Sequence, residues 1–201
     1  MKLRHSRTIA CLVLIILGGC KSNPAVRSHY ALNTTRPDRQ ANTPSPAVLD
    51  VRRLTIDSAY ESKGLVYRQG EALYETDYYG EFLVAPARLI TDRMRNWIAE
   101  AELCARVLDS GSLVEPTHSL EGHITRLYGD YRDKDARQAI MEIRLYLISH
   151  KDMGQAILLG KTYEQTEPVN DPHAETLVNA FDACLVRILT ELESDLKVTM
   201  H

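Results

Sequence analysis

Apolar and polar residues alternate most cleanly between Ala139 and Ile148. Met141, Ile143, Leu145 and Leu147 fall on one side of that run, and Glu142, Arg144 and Tyr146 on the other. A period of two marks a strand with one face in a core. Leu120–Arg132 has strand composition but does not alternate cleanly, which predicts a bulge near Arg126. After it come a turn at Lys151-Asp152-Met153-Gly154 and a further strand, Ala156–Thr166. Earlier in the chain, Ala47–Asp57 reads as one strand. Gly64–Arg68 and Ala72–Tyr79 read as a hairpin turning at Gln69-Gly70-Glu71. Arg106–Asp109 is a short strand ended by Gly111 and Pro116.

Two segments carry the helical period instead. Pro86 opens the first, in which Ile90, Met94, Trp97 and Ala101 recur on one face. The second starts with Asp171 as N-cap and Pro172 at the first helical position. Its stripe is Leu177, Phe181, Cys184, Leu185, Ile188 and Leu192. The order is three strands, a helix, four strands and a helix. The predicted fold class is α/β (α+β): one mixed, largely antiparallel sheet with both helices packed on one face. No internal repeat is visible.

The first twenty residues follow another pattern. Lys2, Arg4 and Arg7 precede an apolar run from Ile9 to Leu17, and Gly18-Gly19-Cys20 closes it. The run is too short for a permanent membrane span, and small residues before a cut site mark a secretory signal peptide. Leu17-Gly18-Gly19-Cys20 resembles a bacterial lipobox. On that reading residues 1–19 are removed and Cys20 becomes the first residue, with N-acyl and diacylglyceryl (palmitate-type) chains as its covalent lipid. The alternative is an ordinary secretory signal with a chance cysteine. Each buried methylene contributes about 0.8 kcal/mol, so several chains hold a protein on a bilayer without spanning it. Lys21 replaces the Asp that retains enterobacterial lipoproteins at the inner membrane, a pattern similar to outer-membrane sorting; inner-membrane anchoring is the alternative. The domain would face the periplasm. Residues 20–46, with Pro24, Pro37, Pro44 and Pro46 among polar residues, read as a flexible tether reaching on the order of 80 Å, and 47–201 as the folded domain.

Composition narrows the classes further. The full chain has a formal net charge of −3, and losing Lys2, Arg4 and Arg7 makes the mature chain more acidic. A mildly acidic domain without a Lys/Arg run is not a nucleic-acid binder. Neither Gly-x-Ser-x-Gly nor a Walker A sequence occurs. Ser110-Gly111-Ser112 is a turn, and ATP chemistry would belong to another subunit. No enzyme activity and no cofactor are expected beyond the lipid on Cys20.

Four candidate features remain. His118, Glu121 and His123 are metal-type residues, but on a strand 118 faces away from the other two, so a polar face is expected instead of a metal site. Tyr67, Tyr74, Tyr78 and Tyr79 crowd the hairpin with Phe82 close by. Tyrosine joins apolar area to a hydroxyl and suits protein contacts, which makes the hairpin the candidate partner surface; the alternative is that half of the set fills the core and the rest decorates an antiparallel sheet. The stripe of Leu177, Phe181, Leu185, Ile188 and Leu192 is expected to be core, with a lipid groove as the rarer use. Cys104 and Cys184 are either a disulfide, which an oxidising compartment allows, or two separate buried thiols.

The ordered set of features resembles the ABC-type transport auxiliary lipoproteins, the PqiC/YmbA group that accompanies MCE-domain transport systems. The likeness rests on the lipobox, Tyr30-Ala31-Leu32, Gly64-Leu65-Val66-Tyr67-Arg68, Leu73-Tyr74 and the aromatic stretch ending at Ala85-Pro86. It continues with Leu120-Glu121-Gly122-His123-Ile124 and the last amphipathic helix. Members often carry a Trp shortly before the Ala-Pro step; Phe82 stands there in this chain. The resemblance implies a non-catalytic auxiliary of lipid transport between inner and outer membranes. Its implied partners are an MCE-domain protein and, through it, an ABC permease and ATPase, with homo-oligomerisation left open. Two alternatives stand: a lipoprotein that itself binds a lipid or small amphiphile, and a structural assembly factor of another envelope complex.

Overall fold

The computed structural model describes residues 26–37, 43–109, 111–150 and 154–200. The signal segment, Cys20, Ser110 and the turn residues Lys151, Asp152 and Met153 lie outside them. In chain order the elements are β1 (Ser28–Tyr30), β2 (Ser45–Val51), β3 (Thr55–Ile56), a 3-10 turn (Ser58–Tyr60), β4 (Gly64–Arg68), β5 (Tyr74–Phe82) and α1 (Pro86–Glu100). They continue with β6 (Cys104–Leu108), β7 (His118–Asp130), β8 (Gln138–Ser149), β9 (Ala156–Pro168) and α2 (Ala174–Thr199).

The antiparallel ladder β7–β8–β9 is the backbone of the sheet. β7 pairs with β8 from His118 opposite Ser149 to Asp130 opposite Gln138, and β8 pairs with β9 along its length. The alternation in β8 is realised: Ala139, Met141, Ile143, Leu145 and Leu147 are buried and the residues between them are not. The expected bulge is present, with the β7–β8 register shifting between Ile124 and Arg126. It accounts for the broken pattern in β7. Leu120 and Ile124 point inward before the extra residue, and Leu127 after it. Thr125 is left at the irregularity, and its hydroxyl donates to the Glu142 side chain.

Three short segments serve the other edge of β7 in succession, all parallel to it. Leu49 of β2 lies opposite His118, Thr55 of β3 opposite His123, and Tyr67 of β4 opposite Gly129. The stretch 47–57, read from the sequence as one strand, is therefore two. The chain breaks at Arg52-Arg53-Leu54, where Leu54 turns into the core and its N–H donates to Thr91 Oγ1 at 3.0 Å. β6 pairs parallel with β2, β5 antiparallel with β4, and β1 parallel with β5. The result is a curled mixed sheet whose long pairings are antiparallel and whose short ones, β4–β5 apart, are parallel. β9 is an edge strand, guarded by Lys161, Glu164, Glu167 and a terminal Pro168.

Both helices fill the inner face. Ile90, Met94, Trp97 and Ile98 of α1 are buried, as are Leu177, Phe181, Cys184, Leu185, Ile188 and Leu192 of α2. The start of α2 differs from expectation. His173 occupies the N-cap position, and the Asp171 carboxylate braces the entry from outside, accepting from His173 N at 2.8 Å and Thr176 Oγ1 at 2.8 Å.

The tether expectation also needs correction within the described residues. Residues 28–36 dock on the domain. β1 pairs with β5, Leu32 is 1% exposed, and Asn33 N and the Thr34 hydroxyl donate to Asp182 of α2. Arg36 then makes a two-pronged ion pair with Glu193, with Nε to Oε2 at 2.8 Å and Nη2 to Oε1 at 2.6 Å. Trp97 Nε1 donates to the same Oε2 at 2.8 Å, so one carboxylate ties this N-terminal strap to both helices.

Candidate functional site

The tyrosine-rich hairpin divides into a core half and a solvent half. Its turn is where the sequence places it, with the N–H groups of Gln69 and Gly70 donating to Leu73 O. Phe82 is 3% exposed and packs against Phe181 at 6.3 Å between ring centroids, so it belongs to the core and not to a partner surface. Tyr67 is half-buried, edge-on to Tyr131 at 5.0 Å, and burial followed by the nearby Asp77 carboxylate raises its hydroxyl well above the ordinary range. Tyr74, Tyr78 and Tyr79 are exposed.

The exposure of Tyr78 and Tyr79 is built by a backbone irregularity. Between the pairs Gly64–Glu81 and Val66–Thr76, β5 advances further than β4, and residues 77–80 bulge out of the ladder. The Asp77 carboxylate holds the bulge, accepting from Tyr79 N at 2.8 Å and Gly80 N at 2.9 Å. A Cβ on Gly80 would sit 2.7 Å from Asp77 Oδ2 and 3.3 Å from the Ala174 side chain, so a larger residue there would displace the carboxylate that holds the bulge. The Tyr78 and Tyr79 rings meet edge to face at 5.1 Å, and the Arg27 guanidinium lies 4.3 Å from the centre of the Tyr78 ring. Asp-Tyr-Tyr-Gly is the sequence signal that could have located this bulge.

The other candidates are resolved individually. Cys104 and Cys184 are both free and buried, so of the two alternatives the structure holds the pair of separate core thiols. Burial pushes the Cys184 thiol up to about 12 and raises that of Cys104. His118 is core-facing with Nδ1 at 2.9 Å from Thr117 Oγ1, whereas Glu121 pairs with Arg52 and His123 with Thr55 Oγ1. Among the described residues no cluster of His, Cys, Asp and Glu could hold a metal ion. The α2 stripe is 0–1% exposed and packs into the core, the commoner of the two uses expected for it.

Charged side chains pair with one another at two further places. A surface cleft of about 350 Å³ lies beside the hairpin turn, lined by Glu71, Asp130, Arg132, Asp133, Ala136 and Gln138. Arg132 bridges Asp130 and Glu71 across it, both at 2.8 Å, and this holds the Asp130 carboxyl below its usual range. Behind the sheet, Lys161 and Tyr163 both reach Asp195 at 2.8 Å. Among the described residues, no helix is long and apolar enough to cross a membrane.

The fold recurs in solved structures. A Xanthomonas campestris protein superposes with a TM-score of 0.71 at 17% identity, covering 86% of this chain and 96% of that one. A hypothetical protein from Chlamydia trachomatis does so at 0.50 and 8% identity, covering 77% and 99%. At these identities the likeness shows the fold alone. Among curated proteins nothing matches the sequence. The family model described as the ABC-type transport auxiliary lipoprotein component matches residues 30–193. That span runs from the end of β1 to the Glu193 that clamps the strap, so the match takes in most of the strap, the strands β2 to β9, α1 and the greater part of α2. The chain belongs to the ABC-type transport auxiliary lipoprotein family.

Proposed function

We propose that this protein is a lipid-anchored, non-catalytic adaptor of an ABC/MCE-type system that moves lipids between the inner and outer membranes. Cys20 carries the anchor, the domain faces the periplasm from the outer membrane, and an MCE-domain protein links it to the permease and ATPase. The observation that carries the reading is the family match over residues 30–193, most of the folded unit. Two features of the fold support an adaptor over a carrier. Among the described residues the apolar side chains between helices and sheet are buried, and solvent-facing apolar residues occur at separated places. Two of several such places are Tyr78 and Tyr79 on the β5 bulge, and Ile157 and Leu158 at the start of β9. The register puts the two places on the order of 25 Å apart along the ladder. A bridge between a membrane and a protein needs two such contact areas.

The first test is the mass of the N-terminal peptide of the protein isolated from its native envelope, after separation of inner and outer membranes. A triacylated Cys20 in the outer-membrane fraction is expected. An unmodified mature N-terminus elsewhere, or an uncleaved one, would remove the anchor from the account.

A further inference from the structure

Resting on that anchor reading, we infer that the Tyr78–Tyr79 bulge, together with Val26 and Arg27, docks on the phospholipid surface to which Cys20 is attached. The first support is reach. The chain joins the sheet at Ser28, which lies opposite Gly80, and Arg27 already stacks on Tyr78. Only the residues between Cys20 and Val26 separate this corner from the lipid, a span of at most about 20 Å when fully extended. A domain of this length has a radius of gyration of about 16 Å, so the tether is shorter than the domain is wide. Docking of the strap thus replaces a head on a long leash by a head whose bulge corner is held at the bilayer. A protein large enough to cover the bulge would have to enter that gap, which disfavours it as the occupant.

The second support is chemistry. Tyr78 is 66% and Tyr79 50% exposed, and Val26 is 80% exposed. Tyrosine places an apolar ring and a hydroxyl at the level where acyl chains meet headgroups. The Arg27 guanidinium supplies a donor fork for phosphate. The acid of the bulge, Asp77, is turned inward and engaged by Tyr79 N, Gly80 N and the Tyr67 hydroxyl. Glu81 beside it faces His29 at 3.3 Å. Both of these carboxylates thus have partners within the corner, and Arg27 is the cation set beside the exposed rings.

The test couples the mature chain, beginning at Cys20, to maleimide-headed lipid in phosphatidylethanolamine/phosphatidylglycerol vesicles. Cys104 and Cys184 are buried, which leaves Cys20 as the reactive thiol. Hydrogen exchange of the amides in 26–30 and 77–82 is compared for free and coupled protein. Slower exchange on coupling is expected. It should be lost in the Tyr78→Ser/Tyr79→Ser variant, and also when about twenty Gly/Ser residues are inserted between Asn23 and Pro24, a change that leaves the domain untouched. Unchanged exchange in coupled protein overturns the inference. So does protection that appears only on adding an MCE-domain protein. Because coupling is chemical, these outcomes are independent of whether the cell acylates Cys20, which the mass of the native peptide decides separately.

Discussion

Replacing Glu193 by alanine removes an acceptor shared by three parts of the fold. Arg36 donates to it twice and Trp97 once, at 2.6 to 2.8 Å. The Arg36 side chain is 6% exposed and that of Glu193 is 18% exposed, so the charges are largely out of water. Removing one partner of a desolvated ion pair costs about 3–5 kcal/mol. Partial exposure of Glu193 puts this case near the lower end, about 3 kcal/mol. For a domain of this size that is a fall in melting temperature of about 6–12 °C. Glu193→Gln keeps an acceptor for Trp97 and one arm of Arg36 and should lose less. Circular dichroism melts give the stability, and hydrogen exchange over 28–36 shows whether the strap loosens first. A Glu193→Ala protein that melts with the parent, its 28–36 amides equally protected, would refute the claim that this carboxylate clamps the strap.

Further outcomes follow from single contacts. Leu32→Ala is expected to destabilise by about 2–5 kcal/mol in urea titrations, because a fully buried side chain in the strap is truncated. Gly122→Ala should destabilise by about 1–3 kcal/mol, since the new methyl would sit 2.7 Å from the Arg144 carbonyl oxygen across the ladder. Cys104 and Cys184 should resist iodoacetamide in the native protein and react only after unfolding, without reductant; a disulfide in mass spectra of the oxidised protein would contradict the buried-thiol assignment. Burial alone would raise the Asp195 carboxyl, but its bonds from Lys161 and Tyr163 outweigh this and hold it below its usual value. Its contribution is therefore present above the unfolded carboxylate range and fades as pH falls through the lower folded value. Melts between about pH 7 and pH 3 should show Asp195→Asn with a flatter acid limb than the parent.

What the sequence disclosed depended on the range of the forces involved. The β8 alternation, the bulge near Arg126 and the α2 stripe are local periodicities set by one buried face, and each is read from neighbouring residues. The strap was not legible. Residues 28–36 offer only Tyr30 and Leu32 as apolar contacts, and their polar anchors, Asp182 and Glu193, lie about 150 positions away in the chain. The split of 47–57 arises because β7 is served by several partners, a property of the assembled sheet. Within the hairpin, composition marked the tyrosines but not their division. The Asp77 side chain decides which rings are expelled, while Phe82 is drawn to Phe181.

The central claim, a membrane-anchored auxiliary of an MCE-type transporter, is tested most directly by crosslinking in the native envelope, comparing the lipidated protein with a Cys20→Ala control. The account predicts recovery of an MCE-domain protein with the lipidated form and its loss with the control. Recovery of tightly bound lipid without any protein partner would contradict it.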